Sequence, residues 1–183
     1  GNYSLYSNTT GGSNTAQGYQ SLYYNTTGTQ NTATGYRSLF SNTTGNYNTA
    51  QGRGSLYSNT TGNNNTAQGR NSLYSNTTGN YNTSVGYRAG SYQSDDSTNP
   101  SGSNSVYIGY NTKASGSVDA ETNQIVIGSE AVGIGSNTVV LGNDSITTTA
   151  LKGNVGIGTA SPSEALEVHS TIKIGETIWN RCW

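Results

Sequence analysis

Asn14-Thr-Ala-Gln-Gly-Tyr-Gln-Ser-Leu-Tyr-Tyr-Asn-Thr-Thr-Gly-Thr-Gln30 is a sentence that the chain writes repeatedly. It restarts at Asn31, Asn48, Asn65 and Asn82, a period of 17 residues, and residues 1–13 are the tail of one more copy. A fixed period of this size marks a repeat architecture, in which one unit cannot bury its own apolar face and stacks on its neighbours to do so. Helix fits the copies poorly: each carries at least two Gly and several Asn and Thr, with no apolar stripe at 3.6 spacing. The Asn-Thr-Thr-Gly and Asn-Thr-Ala-x-Gly segments suit turns flanking very short strands, with Gly supplying positive φ. One coil per copy then stacks at about 4.8 Å, and in-register Asn side chains can pair as amide ladders. The predicted fold is all-β, a solenoid or roll of 17-residue coils.

Few positions in a copy are apolar. Ala16, Ala33, Ala50 and Ala67, with Ser84 in the last copy, stand two residues before a periodic Gly18, Gly35, Gly52, Gly69 and Gly86. Small residues at both places imply a tight interior. Leu5, Leu22, Leu39, Leu56 and Leu73 form a third column, each followed by an aromatic: Tyr6, Tyr23, Phe40, Tyr57 and Tyr74. On a strand, adjacent residues face opposite ways, so Leu and the ring are not both expected inside one narrow core. One of them is expected at a second burying surface, and the economical source of that surface is another copy of the chain. The aromatic column tolerates Phe, so its rings are expected to be packed.

The repeat array occupies residues 1–92, and residues 93–103 read as a polar linker loop containing Asp95, Asp96 and Pro100. Two adjacent carboxylates could hold a hard cation, but they lack the rest of a ligand set, and no metal is assigned. From 104 to 158 the wording changes: Val106-Tyr-Ile-Gly109, Ile125-Val-Ile-Gly128, Val139-Val-Leu-Gly142 and Val155-Gly-Ile-Gly158 read as short buried strands closed by turns. They predict a second β-coil region with a richer core, followed by C-terminal stem strands over 159–183.

Several function classes drop out on composition. The chain is 9% charged with a net charge of −1, which leaves no basic footprint for nucleic acid. Its longest apolar runs are too short to insert in a bilayer as a helix. No methionine is present, even at position 1, which reads as a fragment or a processed piece. Gly133-Ile-Gly135 and Gly156-Ile-Gly158 lack the strand-then-helix context of a dinucleotide fingerprint. His169, the only histidine, has no second His or Cys nearby in sequence, and no Ser stands in a nucleophile elbow. No catalytic constellation and no cofactor site is read, so the chain is expected not to be an enzyme. Cys182 excludes an intrachain disulfide; it is an inert thiol or, on the sharper reading, an interchain bridge. The Asn-Thr-Thr sequons at Asn8, Asn25, Asn42, Asn59 and Asn76 are read as turn chemistry rather than glycan acceptors.

The array Asn-Thr-Ala-x-Gly-Tyr-x-Ser-Leu-Tyr-Ser-Asn-Thr-Thr-Gly resembles the head repeats of trimeric autotransporter adhesins and related bacteriophage tail fibres. The segment from Asn137 to Pro162 is similar, more specifically, to tail-fibre proteins, where it commonly precedes an intramolecular chaperone. That resemblance implies an elongated parallel homotrimer on a virion tail fibre, or alternatively on a bacterial cell surface. It implies attachment to a host cell-surface glycan or other receptor, with other virion tail proteins as partners. The 17-residue coil is longer than the usual adhesin head repeat, and no self-cleaving chaperone module is present in this sequence. From another class, the threonines Thr15, Thr32, Thr49, Thr66 and Thr83 suggest an ice-binding face, although bulky Tyr and Arg positions stand beside them.

A candidate binding row follows the periodic glycine: Tyr19, Tyr36, Arg53, Arg70 and Tyr87, joined at the next position by Arg37 and Arg88. Exchange between Tyr and Arg is not what a buried seam tolerates, so the row is expected to face solvent. It offers rings for sugar faces and guanidinium forks for carboxylate or phosphate groups. The plainer alternative is that it only covers the coil edge, making the segment a spacer.

Overall fold

The computed structural model describes residues 1–92, 101–115 and 121–168; Asp95, Asp96, Pro100, His169 and Cys182 lie outside them. The described residues contain strands and turns only, and they fall into two compact units, 1–145 and 146 onward.

The first unit is the predicted solenoid. Eight strands form one parallel sheet in chain order: β1 (Thr15–Gln17), β2 (Thr32–Thr34), β3 (Thr49–Gln51), β4 (Thr66–Gln68), β5 (Thr83–Val85), β6 (Val106–Ile108), β7 (Gln124–Ile127) and β8 (Thr138–Leu141). Each coil contributes one strand. The central residues align as Ala16, Ala33, Ala50, Ala67, Ser84, Tyr107, Val126 and Val140. The Asn-Thr-Ala segment is thus the strand and its entry, and the periodic glycine turns the chain out of it. That glycine is required sterically as well as conformationally. At Gly52, with φ 138, an added Cβ would lie 2.6 Å from the carbonyl oxygen of Gly69 in the next coil.

Inside the coil the Ala and Leu columns are buried from the second coil onward, and so are two columns of asparagine; in the end coil Leu5, Asn8, Asn14 and Ala16 are half-buried. Asn25, Asn42, Asn59 and Asn76 each donate Nδ2 to Oδ1 of the preceding rung at 2.7–2.9 Å. The same Nδ2 groups close their own turns on the carbonyls of Gly28, Gly45, Gly62 and Gly79. A second ladder runs through Asn14, Asn31, Asn48 and Asn65: the Oδ1 atoms of Asn14, Asn31 and Asn48 accept from both the backbone N–H and Nδ2 of the next rung, and Asn65 Oδ1 accepts the backbone N–H of Asn82. A buried amide left unpaired would cost about 1–3 kcal/mol, so an interior this poor in hydrocarbon holds only because the ladders satisfy it rung by rung.

Leucine lies inside the coil, and the aromatic beside it does not. The alternation rule fails here because the pair lies in a turn rather than a strand: Leu22, Leu39, Leu56 and Leu73 all sit in the left-handed region, with φ between 47 and 51. That conformation costs about 1–2 kcal/mol per non-glycine residue. Full burial of the side chain returns about 1.5–3 kcal/mol, and the leucine N–H also bonds the next coil, as Leu39 does to Ser55 O at 3.0 Å. Burial therefore outweighs the strain, and leucine is removed from any seam between copies. The aromatic column lies half-buried on the coil surface, except Tyr6, which is exposed. Its rings pack on one another, with centroids 4.8–5.4 Å apart from Tyr6 through Tyr74.

Part of the stretch read as a linker belongs to the solenoid. Gly102 O accepts from Asn82 Nδ2 at 2.7 Å, taking the place that Gly79 O holds for Asn65, and Ser103 bridges to Thr122. At the other end, the eight-stranded sheet stops at β8. The run Val155–Ile157 is β9 of the second unit and pairs in parallel with β10 (Leu166–Val168). In the core position two before the closing glycine, where the coils carry Ala, Ser, Tyr or Val, this run has Gly156, which offers no side chain for a coil interior. β10 falls in the predicted stem, whose remaining residues from 169 onward lie outside the described ones.

A candidate ligand-binding cleft

The columns that flank the left-handed position beside each periodic glycine make the most chemically distinctive surface of the solenoid. One column is the predicted row after the glycine: Tyr19, Tyr36, Arg53 and Arg70 are exposed and Tyr87 is half-buried. Tyr19 stacks on Tyr36 at 5.5 Å, and Tyr87 stacks on Tyr110 at 5.4 Å. The other column is the aromatic ladder of Tyr23, Phe40, Tyr57 and Tyr74. Between them run Gln20, Arg37, Gly54, Asn71 and Arg88, all with φ between 53 and 65. A left-handed residue here aims its side chain along the surface between the two ring columns, and Arg37 uses that path to donate Nε to Gln20 Oε1 at 2.7 Å.

The arginines lie over the rings. Arg37 sits 5.2 Å from the Tyr36 centroid and 5.1 Å from that of Phe40. Arg53 lies 5.4 Å over Tyr36, whereas Arg70 lies 5.6 Å over Tyr87, so the two neighbours lean in opposite directions along the stack. Arg88 is 5.7 Å from Tyr87 and 5.5 Å from Tyr92. A cleft of about 350 Å³ opens among them, bordered by Tyr36, Tyr57, Tyr74, Tyr92, Gly54 and Asn71 together with all four arginines. Among the described residues no carboxylate borders it, and residues 1–92 contain no Asp or Glu at all. The field in the cleft is therefore positive, and the rings supply apolar faces within the same volume. Partial burial pushes the Tyr74 phenol above its ordinary value, with Tyr57 and Tyr92 adding to the effect and Arg37 opposing it. Burial and the neighbouring phenols Tyr6 and Tyr24 raise Tyr23 in the same direction.

Of the predicted row, Tyr36, Arg37, Arg53, Arg70 and Arg88 converge on this cleft. Tyr87 backs it through Arg70 and Arg88, and Tyr19 stands one rung beyond as the stacking partner of Tyr36. Sequence reasoning missed Tyr57 and Tyr74, whose rings it expected to be packed, and it missed the importance of Gly54. The signal was present: Gly54 is the one residue of its column without a side chain. The sequons fare as turn chemistry, since the Nδ2 atoms of Asn25, Asn42, Asn59 and Asn76 are buried and donate to protein acceptors. The Thr15 to Thr83 column lies on the outer face of the sheet beside Gln17, Thr34, Gln51 and Gln68. No family model, curated protein or solved structure matches the chain.

Proposed function

We propose that this chain is a non-enzymatic attachment segment of a bacteriophage tail fibre, working as a parallel homotrimer that holds a host surface glycan against the Tyr and Arg row. The observation that carries this reading is the convergence of arginine and tyrosine side chains on one open cleft that, among the described residues, no carboxylate borders. Sugars present apolar C–H faces and, in surface polysaccharides, anionic substituents; the cleft pairs ring faces with guanidinium groups that suit both. A rigid solenoid behind it fixes those groups at rung spacing, which lowers the ordering cost of binding.

Association of copies is supported by a change on the outer face of the sheet. Along β1 to β4 that face carries Thr and Gln, but in β5 to β8 the same columns become Val85, Val106, Ile108, Ile125, Ile127, Val139 and Leu141. Val139 is 61% and Leu141 56% exposed. A contiguous apolar grid of this kind is what a second copy of the same chain would cover, and it replaces leucine as the seam. Cyclic assembly of three copies follows the resemblance of the repeats to trimeric adhesins and tail fibres.

Two measurements test the reading. Light scattering should give three copies per particle, and Val139→Asp with Leu141→Asp should yield a folded monomer. A glycan array probed with the full chain should show retention that disappears when Tyr36, Arg37, Arg53 and Arg70 are all replaced by Ser. Retention undiminished in the correctly folded variant, or none by the parent chain, would make the segment a spacer.

A further inference from the structure

We propose that the gap at Gly54 is a discrete subsite for one acidic sugar unit, a pyranose bearing a carboxylate or phosphate; this rests on the attachment reading and narrows it to a ligand class and one rung. Every other rung of the left-handed column fills its place between the ring columns, with Gln20, Arg37, Asn71 and Arg88. At Gly54 one side chain is missing, so Arg37 and Asn71 are separated by two rungs, about 10 Å; Gly54 is buried at the floor of the cleft, and the Asn71 amide reaches over it. An added Cβ at Gly54 would meet Asn71 Oδ1 at 2.6 Å and the Tyr74 ring at 3.4–3.5 Å, which locates the ring beside the slot. Tyr57 and Tyr74 stack at 4.8 Å with 6° between their planes.

Charge placement gives the ligand its sign. Arg53 and Arg70 lean away from each other, one onto Tyr36 and the other onto Tyr87, and the slot lies between the two rungs they leave. Their guanidinium groups are held by ring faces alone; among the described residues no side-chain or carbonyl oxygen accepts from Arg53, Arg70 or Arg88. Donors already desolvated on one side by a ring, with no acceptor assigned, are suited to an incoming anion, which would also relieve the repulsion among four like charges. A neutral sugar would use the rings and leave the cations unmatched. An anion without a ring would leave Tyr57 and Tyr74 unused. A charged pyranose satisfies both.

The test is calorimetric titration of the full chain with three tetrasaccharide probes: one of glucuronic acid units, one of phosphorylated glucose units, and one of unmodified glucose. At least one acidic probe should bind ten-fold or more tightly than the neutral one, and which acidic probe does so identifies the anionic group. Gly54→Asn fills the slot with a residue that already adopts this backbone conformation at Asn71; the Asn71 amide has to turn aside from the new Cβ, so the melting temperature should fall by no more than a few degrees while acidic-probe affinity falls at least ten-fold. The Arg53→Ser and Arg70→Ser pair should reduce that affinity likewise and leave the weak neutral binding unchanged. Equal affinity for neutral and acidic probes, no binding of either acidic probe, or full acidic binding by folded Gly54→Asn would each overturn the subsite. Array retention that survives in Gly54→Asn but vanishes in the four-residue Ser variant would overturn the subsite while sparing the attachment reading.

Discussion

The ring of Tyr107 occupies the space that a leucine would need at Gly90. In the column Leu5, Leu22, Leu39, Leu56 and Leu73, the next place falls on Gly90, which keeps the left-handed backbone with φ 63. A Cβ there would meet Tyr107 Cδ2 at 2.6 Å and Leu73 Cδ2 at 3.0 Å. Tyr107 stands in the core column that holds Ala or Ser upstream, and it is 1% exposed. The core thus exchanges a small and large pair for a large and small one between the repeat array and the coils that follow.

Gly90→Leu should cost about 1–3 kcal/mol by overpacking, and Tyr107→Ala about 3–5 kcal/mol through the cavity it leaves. The double variant restores the Leu and Ala arrangement of the upstream coils. Urea unfolding should show it to be more stable than Tyr107→Ala alone, with a coupling energy of about 1–3 kcal/mol. Strict additivity would contradict the exchange.

Gly52→Ala should cost about 3–5 kcal/mol, because its methyl group would press on the Gly69 carbonyl and the two coils would have to separate. Gly12→Ala, where an added Cβ meets nothing within 4 Å, is the control and should fall within about 0.5 kcal/mol of the parent.

Asn42→Ala removes an interior rung. It strands the Asn25 Oδ1 acceptor and one N–H of Asn59 Nδ2 and leaves Asn31 as the side-chain donor to the Gly45 carbonyl, so a loss of about 3 kcal/mol or more is expected from chemical denaturation. Asn8→Ala, at the half-buried end of the same ladder, should cost about 1 kcal/mol or less, since the place it vacates opens at the end coil and lets water take over the bond to Asn25 Nδ2. Equal losses at both places would show that the ladder does not act as a buried network.

Tyr23 and Tyr74 hold their protons more tightly in the fold than the ordinary phenol value of 10.0. Unfolded chains regain the ordinary value, so above it they have released protons that the folded chain still binds. The stabilisation is complete below pH 10 and is lost as pH rises through the folded values. Melting temperature should be flat on approach to pH 10 and drop above it, and Tyr74→Phe should shrink the drop. Phenolate absorbance followed through the same titration supplies the midpoints.

Much of this was legible from periodicity alone. Identical Asn, Ala and Gly at one spacing dictate parallel, in-register strands, because only stacking puts each residue on its own image. The exposure of Arg53 and Arg70 follows from their exchange with tyrosine. The leucine was misjudged because alternation belongs to extended backbone, and a hydrophobic residue in the left-handed region is a choice that only the completed coil makes favourable. Gly54 carried no meaning until its neighbours stood one rung away on either side. The run at Val155 imitates the strand motif on both flanks, but its centre lacks the one side chain the interior requires.

The left-handed column has a consequence for how such a molecule can vary. In the five copies that start at Asn14, Asn31, Asn48, Asn65 and Asn82 its places hold Gln, Arg, Gly, Asn and Arg, and the place before each holds Tyr or Arg, while the residues that build the interior barely change from copy to copy. The repeats therefore amount to an internal experiment in which surface chemistry has been rewritten several times on one scaffold. Duplicating, deleting or exchanging a block of 17 residues keeps every ladder in register, and two codons per block are enough to move a slot, add a cation or erase one at a chosen height.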